Sequence, residues 1–129
     1  MPDYWAFCQM LAAGGAYKGK RILSSRTLAY MTRNHLPDGN DLSMHATGSF
    51  SETAYRGVGF GLGFACKVDP VLNGYPASFG TYYWGGLAST LFWIDPVEKL
   101  TVIFMTQLIP SNTFNFRGQL ESIIYGALD

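Results

Sequence analysis

Residues 100–105, LTVIFM, constrain this chain more than any other stretch, because every side chain but Thr101 is apolar. Polar and apolar residues do not alternate, so the strand they form is expected to have both faces covered, as in the middle of a sheet. Upstream, residues 81–84 are β-branched and aromatic, which favours a strand. That run ends at Gly85-Gly86, where missing Cβ atoms let another backbone or a ligand come close. Residues 89–94 form the next run, and the turn-rich Asp95-Pro96-Val97-Glu98-Lys99 joins it to the last. The stretch 79–107 thus reads as a three-stranded antiparallel meander with a glycine opening beside its first strand.

Only one edge of 100–105 finds a partner within the chain, in residues 89–94. The glycine-rich run 58–68 belongs beyond Tyr82, on the far side of the meander. An unpaired apolar edge is a liability. Strands from an absent segment, or from another copy of the chain in a homo-oligomer, are expected to cover it.

The rest of the chain alternates short helices with turns. Tyr4, Phe7, Cys8 and Leu11 fall at i, i+3, i+4 and i+7, so residues 3–13 are expected to form an amphipathic helix. Pro2 and Asp3 suit a first turn, yet no Ser, Thr or Asn precedes them as a cap, so the helix is expected to begin upstream of Met1. Gly14-Gly15 ends it. Residues 18–23 read as a connector, and Ser24 as the cap of a second helix over 25–34 with Leu28 and Met31 on one side. A long loop follows over 36–57, around Pro37-Asp38-Gly39-Asn40.

Gly57, Gly59, Gly61 and Gly63 alternate with Val58, Phe60, Leu62 and Phe64. A period of two predicts one strand over 58–68, its glycine face close against another element. A phosphate-cradling loop is the rival reading of GVGFGLGF, but no Lys-Ser/Thr follows and no helix is expected there. Residues 69–77 read as a loop. After the meander, Pro110-Ser111-Asn112 reads as a cap. Phe116, Leu120, Ile123, Ile124 and Ala127 form the packing stripe of a final helix.

The 129 residues suit one structural unit over 1–129 with a sizeable core and no linker or repeat. Nine Lys and Arg balance nine Asp and Glu, so no charge pattern points to nucleic acid or acidic lipid. No apolar run is long enough for a membrane span. Cys8 and Cys66 lack metal-ligand spacing and read as buried thiols; His35 and His45 read as solvated or loop residues. Neither a metal nor another cofactor is expected. Arg56 could hold an anionic substrate group, but reads better as a surface cation.

In their order and spacing these segments resemble the C-terminal part of the serine β-lactamase-like hydrolases. That family includes class C β-lactamases, D-alanyl-D-alanine peptidases and β-lactamase-like carboxylesterases. DYWAFCQMLAAGG is similar to the family's helix, and GKRILSSRTLAYMTRNHL to its connector and next helix. GFGLGF resembles its glycine-rich strand, and YYWGG, STLFWIDP and EKLTVIFMTQ its last sheet strands. The fold implied is α+β, an antiparallel sheet with flanking helices, the C-terminal portion of a β-lactamase/transpeptidase-like fold.

In the family, the serine of an S-x-x-K motif attacks an acyl carbon. Lysine and a tyrosine handle its proton, and two backbone N–H groups hold the oxyanion. Only the motif on a sheet strand has a counterpart here, Trp84-Gly85-Gly86, similar in form to that of the carboxylesterase branch. The resemblance implies that the Leu87 N–H is an oxyanion donor, that Gly85 and Gly86 let substrate lie along the strand, and that Trp84 walls the pocket. No serine has a lysine three residues later and no tyrosine an asparagine two later. The nucleophile is therefore expected on an N-terminal segment outside this sequence.

Trp84 also bears on substrate. A lysine there would offer a cation to the carboxylate of β-lactams and peptide termini. Trp offers an apolar face and one N–H, so neutral acyl esters are the expected small-molecule substrates, unless a cation such as Arg56 reaches in. Packing under a loop is the other reading of Trp84. Three functions remain open: part of a serine hydrolase, inactive alone; a non-enzymatic module pairing through its open edge; or half of an enzyme built from two chains.

Overall fold

The computed structural model describes residues 1–45, 55–111 and 113–128. Residues 46–54 of the long loop, and Asn112 of the expected cap, lie outside them. Chain order is α1 (Pro2–Ala12), β1 (Ala16–Tyr17), β2 (Lys20–Arg21), α2 (Ser25–Met31), β3 (Val58–Phe60), β4 (Ala65–Lys67), α3 (Pro70–Asn73), β5 (Tyr82–Gly85), β6 (Leu91–Asp95), β7 (Leu100–Phe104) and α4 (Phe116–Tyr125). Strands β3 to β7 form one antiparallel sheet in sequence order, and β1 with β2 a separate small hairpin.

The expected meander is β5–β6–β7, with Trp84 opposite Phe92 and Phe92 opposite Ile103. Side chains alternate across the sheet. Tyr82, Phe92 and Ile94 join Cys8, Leu11 and Leu28 of α1 and α2 in one core. Tyr83, Leu91 and Trp93 join Val58 and Ala65 in the other, under α4. The sheet is thus covered on both faces, and every residue of β6 is buried. That strand holds the central position expected for 100–105. Among the described residues β7 pairs with β6 alone, and all five of its residues are only half-buried.

The opposite edge is dressed. Helix α2 stops at Met31, short of the expected Asn34, because the chain turns there to lie along β3. The His35 N–H donates to the Phe60 carbonyl (2.8 Å), and the Leu62 N–H to the Met31 carbonyl (2.8 Å). The Asn34 side-chain oxygen accepts the Phe60 N–H (3.1 Å), while its amide donates to the Asn40 carbonyl (2.8 Å). The run 58–68 is not one strand but the hairpin β3–β4, with Phe60 opposite Ala65. Its glycines do lie close against another element. A Cβ at Gly59 would strike the Asn34 side chain, and one at Gly61 the Met31 carbonyl.

Ser24 caps α2, its Oγ accepting the Thr27 N–H (2.9 Å). Met1 is the N-cap residue of α1, without a side-chain bond. The 18–23 connector contains β2, and the 69–77 loop contains α3, capped by the Asp69 side chain and ended by a left-handed Gly74. The cap of α4 is Asn115, whose side-chain oxygen accepts the Gly118 N–H (3.1 Å), rather than the 110–112 segment.

The largest departure is at the centre of the face α4 buries. The apolar stripe predicts burial of Phe116, Leu120, Ile123, Ile124 and Ala127. Phe116, Leu120 and Ile124 do pack, half-buried, against the core, but the deepest residues of the helix are Arg117, Gly118 and Glu121, and Ile123 is 68% exposed. Glu121 meets Lys67 of β4 in a fully buried ion pair (2.5 Å). A cation on the sheet face draws the carboxylate inward, and Phe116, Leu120 and Ile124 pack beside it. There the Phe116 ring meets Phe104 of β7 at 5.2 Å.

Asp95 closes the far end of the same polar layer. Its Oδ1 accepts the Val97 and Glu98 N–H groups (2.9 and 3.1 Å). Its Oδ2 accepts the Ser78 N–H (3.1 Å) and the Tyr125 hydroxyl (2.7 Å). Burial pushes this carboxyl up, but the hydrogen bonds outweigh it and hold the pKa below the usual carboxylate range.

Two outcomes follow from these buried charges. Glu121→Ala strands Lys67 and should cost about 3–5 kcal/mol, whereas Lys67→Met combined with Glu121→Leu should be near neutral or stabilising, as measured by urea denaturation. The Asp95 contribution, set by a depressed folded pKa, is fully present above about pH 4 and lost as pH falls through the folded value. Acid titration by circular dichroism should therefore show a weaker pH dependence below about pH 4 in Asp95→Asn than in the parent chain.

Candidate functional site

Strand β5 sends Tyr82 and Tyr83 into opposite cores and then leaves the buried layers: Trp84 is 43% exposed. Its ring meets Phe60 of β3 edge-on, with centroids 5.1 Å apart. The indole therefore leans on β3 and stays exposed at the end of the strand. Beneath it, on the α4 side, the Arg117 guanidinium lies 4.2 Å from the Tyr83 ring centre. It donates to the carbonyls of Trp84 (3.1 Å) and Phe92 (3.4 Å), the two residues paired across β5 and β6. Arg117 pins the backbone from below at that pair.

Past Trp84 the chain makes a tight hairpin tip. The Gly86 N–H donates to the Thr90 carbonyl (2.8 Å), and the Ser89 N–H to the Gly86 carbonyl (2.9 Å). Leu87 and Ala88 are the central residues, and Ser89 takes the left-handed position that glycine usually fills (φ 65°). Ser89 is buried. Its Oγ donates to the Leu108 carbonyl (2.8 Å), with the Ser111 carbonyl at 3.3 Å, and the Leu108 N–H donates to the Ala88 carbonyl (3.1 Å). The tip is thereby tied to the segment after β7.

The glycine opening is narrower than its sequence implies. A Cβ at Gly86 would collide with the Thr90 hydroxyl, so the hairpin's own side chain fills that space. Gly85 stays half-buried beside Trp84. Leu87 stands at the tip, 63% exposed, and its N–H has no hydrogen-bond partner among the described residues.

The structure gathers Trp84, Gly85, Gly86 and Leu87 on one hairpin. The histidine expected to be a loop residue, His35, rests on Tyr30, its Nε2 2.8 Å from the Tyr30 carbonyl. Cys8 and Cys66 are buried free thiols whose pKa values burial pushes up to about 11, which leaves them unreactive. Among the described residues no group of three His, Cys, Asp or Glu could hold a metal ion, and no helix is long and apolar enough to cross a membrane. Arg117 escaped the sequence reading. A signal was present: Arg117, Glu121 and Tyr125 recur every fourth residue, a polar stripe along one face of the helix.

No sequence-family model and no curated protein matches the chain. Solved structures do. EstCE1, a hydrolase with promiscuous acyltransferase activity, is 28% identical with a TM-score of 0.67, over 92% of this chain and 28% of its own. The unliganded simvastatin synthase LovD from Aspergillus terreus is 20% identical with a TM-score of 0.71, over 95% of this chain and 33% of its own. The chain spans a third or less of the length of these proteins.

The tip geometry makes Ser89 a test of its own. Ser89→Ala loses the Oγ bonds and keeps the left-handed strain, so a loss of about 1–3 kcal/mol is expected. Ser89→Gly loses the same bonds but is relieved of roughly 1 kcal/mol of strain, and should melt at a higher temperature than the alanine variant. Thermal denaturation of the pair checks the order.

Proposed function

We propose that this chain, which has the fold of the C-terminal part of the β-lactamase-like hydrolases, supplies the substrate-facing strand and one oxyanion donor to a serine hydrolase of neutral acyl esters. The observation that carries this reading is the Leu87 N–H. It follows Trp84-Gly85-Gly86 directly, at an exposed tip, with no partner among the described residues. An oxyanion needs donors fixed before the charge develops. Bonds on both sides of Leu87, from Gly86 to Thr90 and from Leu108 to Ala88, hold its peptide group in place.

In the reaction, a serine oxygen adds to the acyl carbon while its proton passes to a lysine–tyrosine pair. The carbonyl oxygen takes up the negative charge, held by the Leu87 N–H and by the N–H of the nucleophile itself. Collapse expels the alcohol, which regains the proton, and leaves an acyl-enzyme for water or another acceptor to cleave. The nucleophile and its base come from residues outside this sequence. The likeness to EstCE1 supports the reading, since hydrolase and acyltransferase activities differ only in the acceptor that cleaves such an intermediate. Trp84 favours an uncharged acyl group, because the wall it forms carries no cation. The nearby Arg117 charge is buried against Tyr83 beneath the strand.

The half-buried β7 edge takes a further strand, apolar on both faces, from the N-terminal segment of the same protein. One face of that strand would meet Phe104 and Phe116, the other Ile103 and the Tyr4 and Phe7 rings of α1. A second reading rests on the same edge: residues 100–104 carry no charge to repel a partner strand, as in a non-enzymatic module that pairs with itself.

A serine-reactive fluorophosphonate separates the readings. This chain alone should not be labelled; mixed or fused with a segment carrying S-x-x-K, the serine of that segment should be. In the active form Leu87→Pro removes the donor at a turn position that tolerates proline, and should lower kcat on a 4-nitrophenyl ester by about 10²–10³ with little change in KM. Labelling of the chain alone, or a kcat that survives Leu87→Pro, overturns the proposal. A stable self-paired dimer that no segment can activate favours the second reading.

A further inference from the structure

A cleft of about 350 Å³ opens between α1, α2 and the β6–β7 turn, at the opposite end of β5 and β6 from Trp84. That volume lies within the range of small-molecule sites, roughly 300–1,000 Å³. Its floor is core: Leu11, Leu28, Tyr82 and Ile94 are all buried. It stays open because the positions around it are small, with Ala12 and Gly14 at the end of α1, Ala29 on α2 and Gly80 before β5.

Two polar groups distinguish the cleft from a packing defect. Tyr82 is only 5% exposed, yet its hydroxyl has no hydrogen-bond partner among the described residues. The hydroxyl oxygen is not among the polar atoms sealed from water, so it keeps solvent access, and a ligand acceptor can take its hydrogen bond. Burial pushes the Tyr82 pKa up, so the hydroxyl remains a donor at neutral pH. Lys99 stands exposed on the rim in a left-handed conformation (φ 55°) that usually selects glycine. It forms no ion pair among the described residues. Asp95, also on the rim, has both oxygens engaged by four donors within the fold. Those donors are neutral, so Asp95 keeps its negative charge but is sealed within the fold; the solvent-exposed charge at the mouth is that of Lys99, above an apolar floor.

We infer that this cleft binds a medium-chain aliphatic carboxylate, its tail on Leu11, Leu28 and Ile94 and its carboxylate paired with Lys99, with the Tyr82 hydroxyl as a further donor. The site is separate from the Trp84 hairpin and does not rest on the proposed hydrolase role. Calorimetric titration of the 129-residue chain with decanoate and with decanol, below micelle-forming concentrations, tests it. Decanoate should bind saturably with one-to-one stoichiometry. Lys99→Glu should weaken decanoate by about tenfold or more and leave decanol within about threefold. Ala29→Phe, placed on the exposed side of α2 to fill the cleft, should abolish both while circular dichroism stays native. Absence of saturable decanoate binding, or binding that Lys99→Glu leaves unchanged, overturns the inference. So does a self-associated chain that Ala29→Phe dissociates, since protein would then occupy the cleft.

Discussion

The buried ammonium of Lys67 dictates how the second face of the sheet is closed. It ends β4 with its side chain inside the protein, 5.4 Å from the centre of the Tyr75 ring. Desolvation pulls its pKa down, against the attraction of Glu121. An uncompensated charge in such a place costs several kcal/mol, so the final helix must present its carboxylate inward. Once Glu121 is fixed, residues one turn away on either side share its face. Arg117 then falls beneath the Trp84–Phe92 pair, and Tyr125 beside Asp95. One ion pair thereby sets three polar contacts between α4 and the sheet. It also supports the backbone of the candidate site.

Much of this architecture could be read from residue pattern, and the failures share a physical cause. The meander was legible because long apolar runs separated by turn chemistry leave few alternatives. The cap at Ser24 was legible because a hydroxyl before a periodic run has a specific geometric use. The β3–β4 hairpin was not, since Gly61 and Gly63 carry the period of two straight through the reversal of the chain. Asn34 was read as a helix residue, although its amide serves the β3 edge and the following turn together. The stripe of α4 locates Phe116, Leu120 and Ile124 against the core but not the charged centre of that face, because apolar periodicity registers area and ignores charge. Lys67 and Glu121 lie 54 residues apart, and no local pattern announces that they meet. At the candidate site the Trp-Gly-Gly step was visible, while Arg117 and the Thr90 hydroxyl that fills the space at Gly86 were not.

The two edges of the sheet are treated differently. Residues 31–36 shield β3 with backbone and asparagine hydrogen bonds, so that edge is finished within the chain. Along β7 the described residues provide no such shield, and aromatic side chains from α1 and α4 stand on either side of it. An edge flanked this way is what the proposed assembly would use to seat an incoming strand.

The bonds from Ser89 to Leu108 and toward Ser111 then acquire a mechanical meaning. They fasten the Leu87 hairpin to the few residues that follow β7, so the tip and the open edge share one tether. In the proposed assembly, a strand laid along β7 would lie beside that tether. Under the proposed function, whatever covers that edge also bears on the tether of the Leu87 hairpin, so edge and donor are mechanically joined.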